Sequence, residues 1–569
     1  MTTYYINNQP GVGSNANPGT SEGAPWADFA PLHQRTLAPG DRVLLARGCT
    51  WNQQLTIEDS GTREAWCELG AYGSGPRPRI IRNGDAVERG IRLHNLSYWH
   101  IHDLEVGCAG IGILAYYTTP GHEGLRFEDI YVHDCYGIHV GWFPADGAAR
   151  QHGLKDRCGL SSGIWITCEP MELEPGAYVL QDVMLDRIEG AHNADSVALS
   201  PHSPAVTGHR EGTASYPMRG FVLNHLDFHD DVAPNPGGIP DTLRLLHCED
   251  VLVLNSTFDN ECGRHTNSGT AIVLMVGMKD LTYVNCSFTR TPDTGSHDQC
   301  AIDFESTNRS VRVRGCYFGQ NAGPGVEFLD IWGEKCFSLD HEVSGNAFEG
   351  NGWATHGGQA GSGGIHHYGG NFASATIRDN LVYEPGRPLY HGEFVNFELI
   401  NNLVASQPLC NAIHGFAEAQ GQGGWRHQWR TGSGDWADLP QYDPALQAWR
   451  AEGGPEDAWV GAIELASTRP DVTVARVWQA ERDGTVAIRG CVLKTYATGA
   501  DAAAQITRNG SPLCGPLNVA ASDRAGIETH LDGVAVQAGD LIRFEVSGAA
   551  NDPADAVSWA PTIAYVDPS

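Results

Sequence analysis

Three acidic residues in the middle of the chain have the spacing that acid–base chemistry on a glycosidic bond requires. Asp303 and Glu305 alternate with apolar residues in the segment AIDFE, and Glu327 holds the equivalent position one segment later, in GVEFL. If the two segments are stacked strands, about 4.8 Å apart, repulsion between the carboxylates raises one pKa. A protonated acid then lies beside an ionised one, which is the arrangement that glycosidases use.

The distance between two such carboxyl groups selects the stereochemistry of hydrolysis. Retaining enzymes hold them about 5 to 5.5 Å apart, and inverting enzymes about 6.5 to 9.5 Å. Asp303 with Glu327 fits the shorter distance and favours retention, whereas Glu305 with Glu327, or a pair that includes Asp330, fits the longer one. The alternative for all of these acids is a solubilising surface role with arginines as counter-charges.

Other residues around the acids are suited to holding a sugar. Arg244 could bind a carboxylate, although a packed salt bridge fits it equally well. Aromatic rings offer flat apolar faces with a polar edge. His366 lies in the glycine-rich run GSGGIHHYGG, where a one-residue slip would exchange it with His367. The predicted substrate-binding residues are Arg244, Trp165, His366, Tyr368, Asp330, Trp332 and Tyr390.

A repeated phrase indicates which elements carry these residues. A hydrophobic alternation, a small or polar residue and a second hydrophobic pair recur as WHIHDLEV, LRFEDIYV, VLVLNSTF, LTYVNCSF, VRVRGCYF, HEVSGNAF and FELINNLV. Each copy is too short to bury its own apolar face, so the copies must stack into a solenoid. The pattern predicts a parallel β-helix, with the stacked amides of Asn346, Asn380 and Asn402 at one turn.

A second family of short strands lies between these copies. Their second and fourth residues are apolar, as in Ile302 with Phe304, and should face the core, so the odd positions face outward. The outward column is predicted to be His139, Trp165, Ala198, Arg244, Val273, Asp303, Glu327, His366 and Tyr390. Long insertions, such as the one from Pro201 to Pro240, should form the walls of a groove.

Composition limits the partners. The chain has 569 residues, 69 glycines, 18% charged residues and a formal net charge of −31. This is a turn-rich all-β composition, and the length predicts more than one structural unit. The charge disfavours nucleic acid and anionic membranes and favours neutral or weakly charged glycans. No cofactor and no metal are expected, and oligomerisation stays open.

Membrane-helix and secretory patterns, together with cysteine usage, predict where in the cell the protein acts. No stretch reaches the roughly 20 apolar residues of a membrane helix, and the start MTTYYINNQPG has no secretory pattern. The 15 cysteines are interpreted as mostly reduced core thiols. These features predict a cytoplasmic protein, or a secreted or periplasmic one if a leader has been removed.

The N-terminal segment resembles a known family. The runs PGTSEGAPWADFAPLHQRTLAPGDRVLLARGCTW and LGAYGSGPRPRI resemble the N-terminal cap of the pectin-lyase-like superfamily of right-handed parallel β-helix proteins. The resemblance implies a carbohydrate-active enzyme without specifying the reaction. The sequence has no NTD, GHG and RIK set of polygalacturonases and no obvious calcium-and-arginine signature of pectate lyases. The leading hypothesis is therefore a glycoside hydrolase or related transglycosidase.

Two other functions remain open at this stage. A polysaccharide lyase would use His366 or Tyr368 as base and Arg244 to neutralise a uronate. A non-catalytic glycan-binding protein would use the aromatic residues and not the acids.

The predicted architecture is all-β. It comprises an N-terminal cap and first coils at 1–85, a right-handed parallel β-helix catalytic domain at 86–419, and a jelly-roll-like β-sandwich at 420–569. The repeats fade after Ile413, and later runs such as VARVWQAERDGTVAIRGCV alternate like strands between Gly, Asn and Asp turns. For the sandwich, packing against the solenoid is favoured over sugar binding.

Overall fold

The structure is a computed structural model built almost wholly of β-strands. It describes residues 1–137, 161–169, 172–201, 215–231, 241–265, 269–331, 333, 336–357, 360–451, 458–467, 469, 471–548 and 556–567. Two long parallel sheets form a solenoid, and three antiparallel sheets follow it. The predicted class, a right-handed parallel β-helix with a C-terminal β-sandwich, is confirmed.

The first parallel sheet carries the predicted site and is called the site sheet below. Its strands in the described residues are Leu55–Ile57, Arg89–His94, Ile111–Tyr117, Ser162–Cys168, Asp195–Leu199, Leu243–Leu246, Gly269–Val276, His297–Ser306, Val326–Asp330, Ile365–Gly369 and Tyr390–His391. Each strand pairs in parallel with the strand of the next coil. Equivalent residues of successive coils therefore lie one strand spacing apart.

The second parallel sheet contains the repeated phrase and turns a corner within it. Its strands are Thr3–Ile6, Arg42–Ala46, Thr50–Trp51, Cys67–Tyr72, Arg79–Ile81, Trp99–His102, Glu105–Gly107, His122–His133, Leu180–Ala191, Met218–His229, Cys248–Leu254, Thr257–Asp259, Lys279–Val284, Ser287–Thr289, Arg312–Arg314, Tyr317–Gly319, Ser338–Ser344, Ala347–Glu349, Ala373–Arg378, Leu381–Tyr383, Phe397–Ile400 and Leu403–Val404. The corner residues Asn255, Asn285, Gly315 and Gly345 have φ of 53°, 51°, 61° and 63°. Asn and Gly tolerate this left-handed conformation, which explains their recurrence in the phrase.

Two internal ladders hold the coils in register. Phe258, Phe288, Phe318 and Phe348 stack in the core with ring centroids 4.8, 5.2 and 4.9 Å apart. At the corner, the Asn346 amide donates to Asn380 Oδ1 over 3.1 Å, and the Asn380 amide donates to Asn402 Oδ1 over 2.7 Å. The predicted asparagine ladder is confirmed, and it satisfies buried polar groups that would otherwise be costly.

The C-terminal region forms three antiparallel sheets. Their strands are Cys410–Asn411, Thr562–Tyr565, Gly484–Arg489 and Leu531–Val536 in the first; Ala437–Asp438, Trp425–Thr431, Val472–Gln479, Leu541–Ser547, Ala502–Arg508 and Ser511–Val519 in the second; and Gln441–Asp443, Ala448–Arg450, Trp459–Val460, Glu464–Ala466, Val557–Trp559, Cys491–Lys494 and Ile527–Glu528 in the third. Parallel pairing ends at Leu403–Val404 and antiparallel pairing begins at Cys410. This region has a core of its own.

Two further findings concern the chain as a whole. The helices of the described residues are the 3-10 turns Leu32–Gln34 and Gln422–Gly424, and none could span a membrane. Most of the described cysteines are buried, as the interpretation of core thiols predicts.

The β-sandwich packs directly against the outer face of the β-helix. Leu252, Leu254 and Val284 of the helix contact Cys491 and Leu493 of the sandwich. Beside this apolar contact, His225 lies between two carboxylates, with Nδ1 3.1 Å from Asp186 Oδ1 and Nε2 2.9 Å from Glu464 Oε2. The interface therefore combines apolar burial with a charged cluster that spans the two units.

His225 should make the stability of this interface depend on pH. Burial alone would lower its pKa, but the charges and hydrogen bonds of Glu464 and Asp186 outweigh burial and raise the pKa to about 10. Because this lies above the unfolded value of about 6.5, the stabilisation is complete below that pH and is lost as pH rises towards about 10. Over that window stability should fall by up to about 1.4 kcal/mol per pH unit.

Thermal denaturation of wild type and His225→Gln across this pH range tests the prediction. The wild-type transition should fall towards that of the variant as pH rises. Parallel pH profiles for the two proteins would show that His225 does not couple protonation to the interface.

Candidate active site

The site sheet brings the predicted acids together. Asp303 and Glu327 are direct partners on neighbouring strands, and Glu327 is the direct partner of His366 on the next strand. Glu305 follows Asp303 on the same face, one pleat along. The predicted register of Asp303 and Glu327, on which the hypothesis of a carboxylate pair rests, is therefore confirmed.

On the preceding coil the predicted register is wrong by one residue. Leu274, and not Val273, lies between Arg244 and Asp303 in the outward column. Val273 faces the core opposite Ile302, while Leu274 packs with Leu246 on the outer face. The run AIVLM is apolar on both faces, so its alternation carries no information about which face is buried.

The acids surround a small cavity at the outer face of the site sheet. Its volume is about 10 Å³, close to that of one water, and it is lined by Asp241, Arg244, Gly269, Thr270, Ala271, Leu274, Asp298, Asp303 and Glu305. Asp303 and Glu305 are 1% and 2% exposed, and Asp298 is 7% exposed. Four carboxyl groups line this small volume, and they cannot all carry charge without a large electrostatic penalty.

The surroundings of Asp303 favour its protonated form, which lessens this repulsion. Burial, followed by the charges of Glu305, Asp298 and Glu327, raises its pKa well above the usual range. Its Oδ1 atom is buried and has no hydrogen-bond partner among the described residues. The cavity therefore contains a carboxyl group that has one oxygen without a hydrogen bond and that is also hydrogen-bonded to the side chain of Glu305.

Glu327 is also fully buried, and its surroundings disfavour its charged form. Burial and the charges of Asp298 and Glu305 raise its pKa well above the usual range. Its Oε1 is 2.8 Å from Nδ1 of His366, and burial beside His391 and His367 lowers the pKa of His366 to about 4. Both shifts favour the neutral forms of Glu327 and His366, and Glu327 itself does not line the cavity.

Arg244 forms the positive edge of the cluster and is enclosed by acids. Nε lies 3.2 Å from Asp195 Oδ2, and Nη2 lies 2.9 Å from Asp241 Oδ2. Burial raises the pKa of Asp195 and raises that of Asp241 to about 7, against the attraction of the guanidinium. Of the two roles considered for Arg244, the packed salt bridge is the one observed.

Two predicted aromatic contacts have very different surroundings. Trp165 is fully buried among Ile111, Leu114, Tyr116 and Ala198, so the prediction that its ring offers a free face to a sugar is wrong. Tyr368 is 52% exposed, with its ring 6.0 Å from that of His366. Tyr368 is thus accessible to a ligand beside His366.

The remaining predicted binding residues do not reach the cavity. Asp330 lies on the core side of its strand and accepts hydrogen bonds from the Phe372 and Ala373 backbone N–H groups, each over 2.9 Å, with His367 Nε2 also at 2.9 Å. Tyr390 pairs with the core residue Ile365 and packs against the hydrophobic core. Both predictions are wrong, since strand parity turns these side chains inward. Trp332 and His139 lie outside the described residues.

Sequence reasoning missed Asp298 and Asp241. The strand His297–Ser306 begins before the alternating segment AIDFE, and Asp298 and Gln299 have φ of 64° and 53°, beside a register shift opposite Thr270 and Ala271. A β-bulge of this kind re-aims side chains in a way that period-two reasoning cannot predict. Gly269 makes room for the Asp298 carboxylate, because a Cβ there would lie 1.5 Å from its Oδ2.

Comparisons with known proteins agree with the observed topology. No family model matches the chain. The structure is similar to the selenomethionine and native crystal structures of a GH136 lacto-N-biosidase from Eubacterium ramulus. The TM-scores are 0.53 and 0.50 and the identities 17% and 18%, covering 71% and 70% of this chain and 67% and 68% of those chains. This likeness supports the parallel β-helix fold.

A second match covers fewer residues of the chain at a higher sequence identity. Over 89 residues the chain is 40% identical to a lacto-N-biosidase of Bifidobacterium longum subsp. longum, a stretch that is 15% of this chain. The match spans about 5% of that curated relative.

Proposed function

We propose that this protein is a glycoside hydrolase in which Asp303 donates a proton and Glu305 acts as the ionised partner. The observation that carries the proposal is the cavity at the outer face of the β-helix, where burial and acidic neighbours raise the pKa of Asp303 well above its usual range. Glycosidases need one proton donor beside one carboxylate, and this cluster can supply both. The likeness in fold to two lacto-N-biosidase structures supports it.

The proposed reaction proceeds in two steps. Asp303 transfers its proton to the glycosidic oxygen while the bond from that oxygen to the anomeric carbon breaks, and the Glu305 carboxylate bonds to that carbon. Water then attacks the anomeric carbon, gives a proton back to Asp303 and releases Glu305. Asp298 places a further negative charge near the positive charge that develops on the sugar ring. This scheme retains the anomeric configuration, because the anomeric carbon undergoes two successive displacements.

The cavity itself sets a condition on substrate binding. Its volume matches one water, and a sugar ring is several times larger. A scissile oxygen can therefore reach Asp303 only if groups that line the cavity move aside when substrate binds.

The surroundings of Arg244 and His366 argue against the lyase alternative. A lyase must neutralise a uronate carboxylate, but Arg244 is already enclosed by Asp195 and Asp241. The cavity acids would repel a uronate as well. His366 has a pKa lowered to about 4 and faces Glu327, so it is a weak base turned towards another acid.

We further propose that the substrate is an oligosaccharide that carries a lacto-N-bioside. This choice rests on the names of the similar proteins and on the net charge of −31, which favours a neutral glycan.

An assay with aryl glycosides tests both parts of the proposal. Nitrophenol should be released from a nitrophenyl lacto-N-bioside, and not from the matching galactoside or N-acetylglucosaminide, and proton NMR of the fresh product should show the retained anomer. If nitrophenol is released only from another glycoside, the proposed hydrolase activity stands and the proposed lacto-N-bioside substrate is rejected. A uronate polymer that gains ultraviolet absorbance from a new double bond would instead identify a lyase.

A further inference from the structure

A cluster of mixed ligand types lies at the ends of two neighbouring strands of the second sheet, away from the acid cavity. Gly107 and His133 are direct partners at the ends of their strands, and Cys108 and Asp134 follow them. Both of these residues have a φ of 52°, so the chain makes the same left-handed turn in successive coils. A cysteine and a carboxylate are thereby placed one above the other, beside an imidazole.

The ligand atoms of this cluster are close enough to share one ion. The thiol of Cys108, a ring nitrogen of His133 and a carboxylate oxygen of Asp134 all lie within 4.8 Å of one another. A tetrahedral zinc site has ligand distances of about 2.0 to 2.3 Å, so small side-chain rotations would close the cluster around an ion. We propose that Cys108, His133 and Asp134 bind a Zn²⁺ ion.

The surroundings of His133 support this assignment. Nδ1 lies 2.8 Å from Asp134 Oδ2, and Nε2 lies 3.2 Å from Glu105 Oε1, which is in turn paired with Arg79 over 2.8 Å. An imidazole that faces the ion with one nitrogen and a carboxylate with the other is the usual second-shell arrangement of metal-bound histidine. Gly107 permits this ring position, because a Cβ there would lie 2.7 Å from the imidazole.

The ligand chemistry selects the class of metal. A thiolate with an imidazole and a carboxylate suits zinc and related transition metals, whereas calcium and magnesium prefer oxygen ligands alone. On the next coil, His192 has the same left-handed turn, and its Nδ1 is 3.8 Å from Asp134 Oδ1. That half-exposed ring could supply a fourth ligand. The site would link successive coils of the β-helix, in contrast to the expectation of no metal from the sequence.

Titration with Co²⁺ as a spectroscopic substitute for Zn²⁺ tests the proposal on the full chain. Wild type should bind one ion with a thiolate-to-cobalt charge-transfer band and the visible bands of a tetrahedral site, and Zn²⁺ should displace it. Cys108→Ser should lose the charge-transfer band, and Glu105→Gln should weaken binding about 10- to 100-fold. His229→Gln is the matched control, because His229 ends the equivalent strand and lies 3.4 Å from Asp230, but no thiol follows it.

Two outcomes would overturn the assignment. One is a wild-type protein that shows no cobalt bands at Co²⁺ concentrations high enough to saturate a small-molecule zinc chelator. The other is a charge-transfer band that survives in Cys108→Ser. Circular dichroism of each variant establishes that the β-helix is intact, and the readout does not depend on glycosidase activity.

Discussion

Glu305→Gln is expected to lower kcat on a cleaved glycoside by roughly 10³-fold while the protein stays folded. The substitution keeps the shape of the side chain and removes the negative charge that the reaction needs beside Asp303. It also removes one of the charges that keep Asp303 protonated. A smaller variant, Glu305→Ala, should regain activity with azide. The small anion can attack the anomeric carbon in place of the lost carboxylate, and the product is then a glycosyl azide.

Asp303→Asn distinguishes the donor from its partner. A missing proton donor should cost about 10³-fold with a poor leaving group and far less with an activated nitrophenyl leaving group, which departs without protonation. Any glycosyl azide formed by this variant should have the retained configuration, because azide attacks the intermediate on Glu305 without a general base, whereas Glu305→Ala should give the inverted azide. Glu398→Gln is the matched control, since Glu398 is an exposed carboxylate of the β-helix outside the cavity. Full activity in both Glu305→Gln and Asp303→Asn would reject the assignment of these acids.

Phe288→Ala should be among the most destabilising substitutions in the β-helix. Its ring lies between those of Phe258 and Phe318, nearly parallel to both, and all three side chains are fully buried. Removal leaves a cavity in a stack that cannot collapse, because each neighbour is fixed by its own coil. The expected loss in the free energy of unfolding is about 3 to 5 kcal/mol.

Denaturant-induced unfolding of Phe288→Ala, compared with wild type, measures this loss. Phe337→Ala is the matched control, because that ring is 43% exposed and contacts Phe372 edge-on. Its substitution should cost less than about 1 kcal/mol. Similar losses for the two variants would show that the ladder does not contribute more than an exposed aromatic contact.

The sequence predicted a residue's role correctly where the local pattern of polar and apolar residues showed which side of the strand faces the core. Around Asp303 and Glu327, polar and apolar residues alternate, so the side that faces the core could be read directly. At Val273 and Leu274 both faces are apolar, because Leu274 packs with Leu246 on the outer surface, and the prediction slipped by one residue. The position of Asp298 was not predicted, because a β-bulge orients its side chain and the alternation of the strand does not.

The sequence by itself determined the stacked architecture, the ladder at Asn346, and the pairing of Asp303 with Glu327. These follow from short-range periodicity, which fixes register wherever one face is buried and the other is polar. Only the tertiary structure decided that Trp165 is buried, that Asp330 turns inward to hold a backbone segment, and that Arg244 is enclosed by Asp195 and Asp241. These properties depend on groups that are distant in the chain and that no local period encodes.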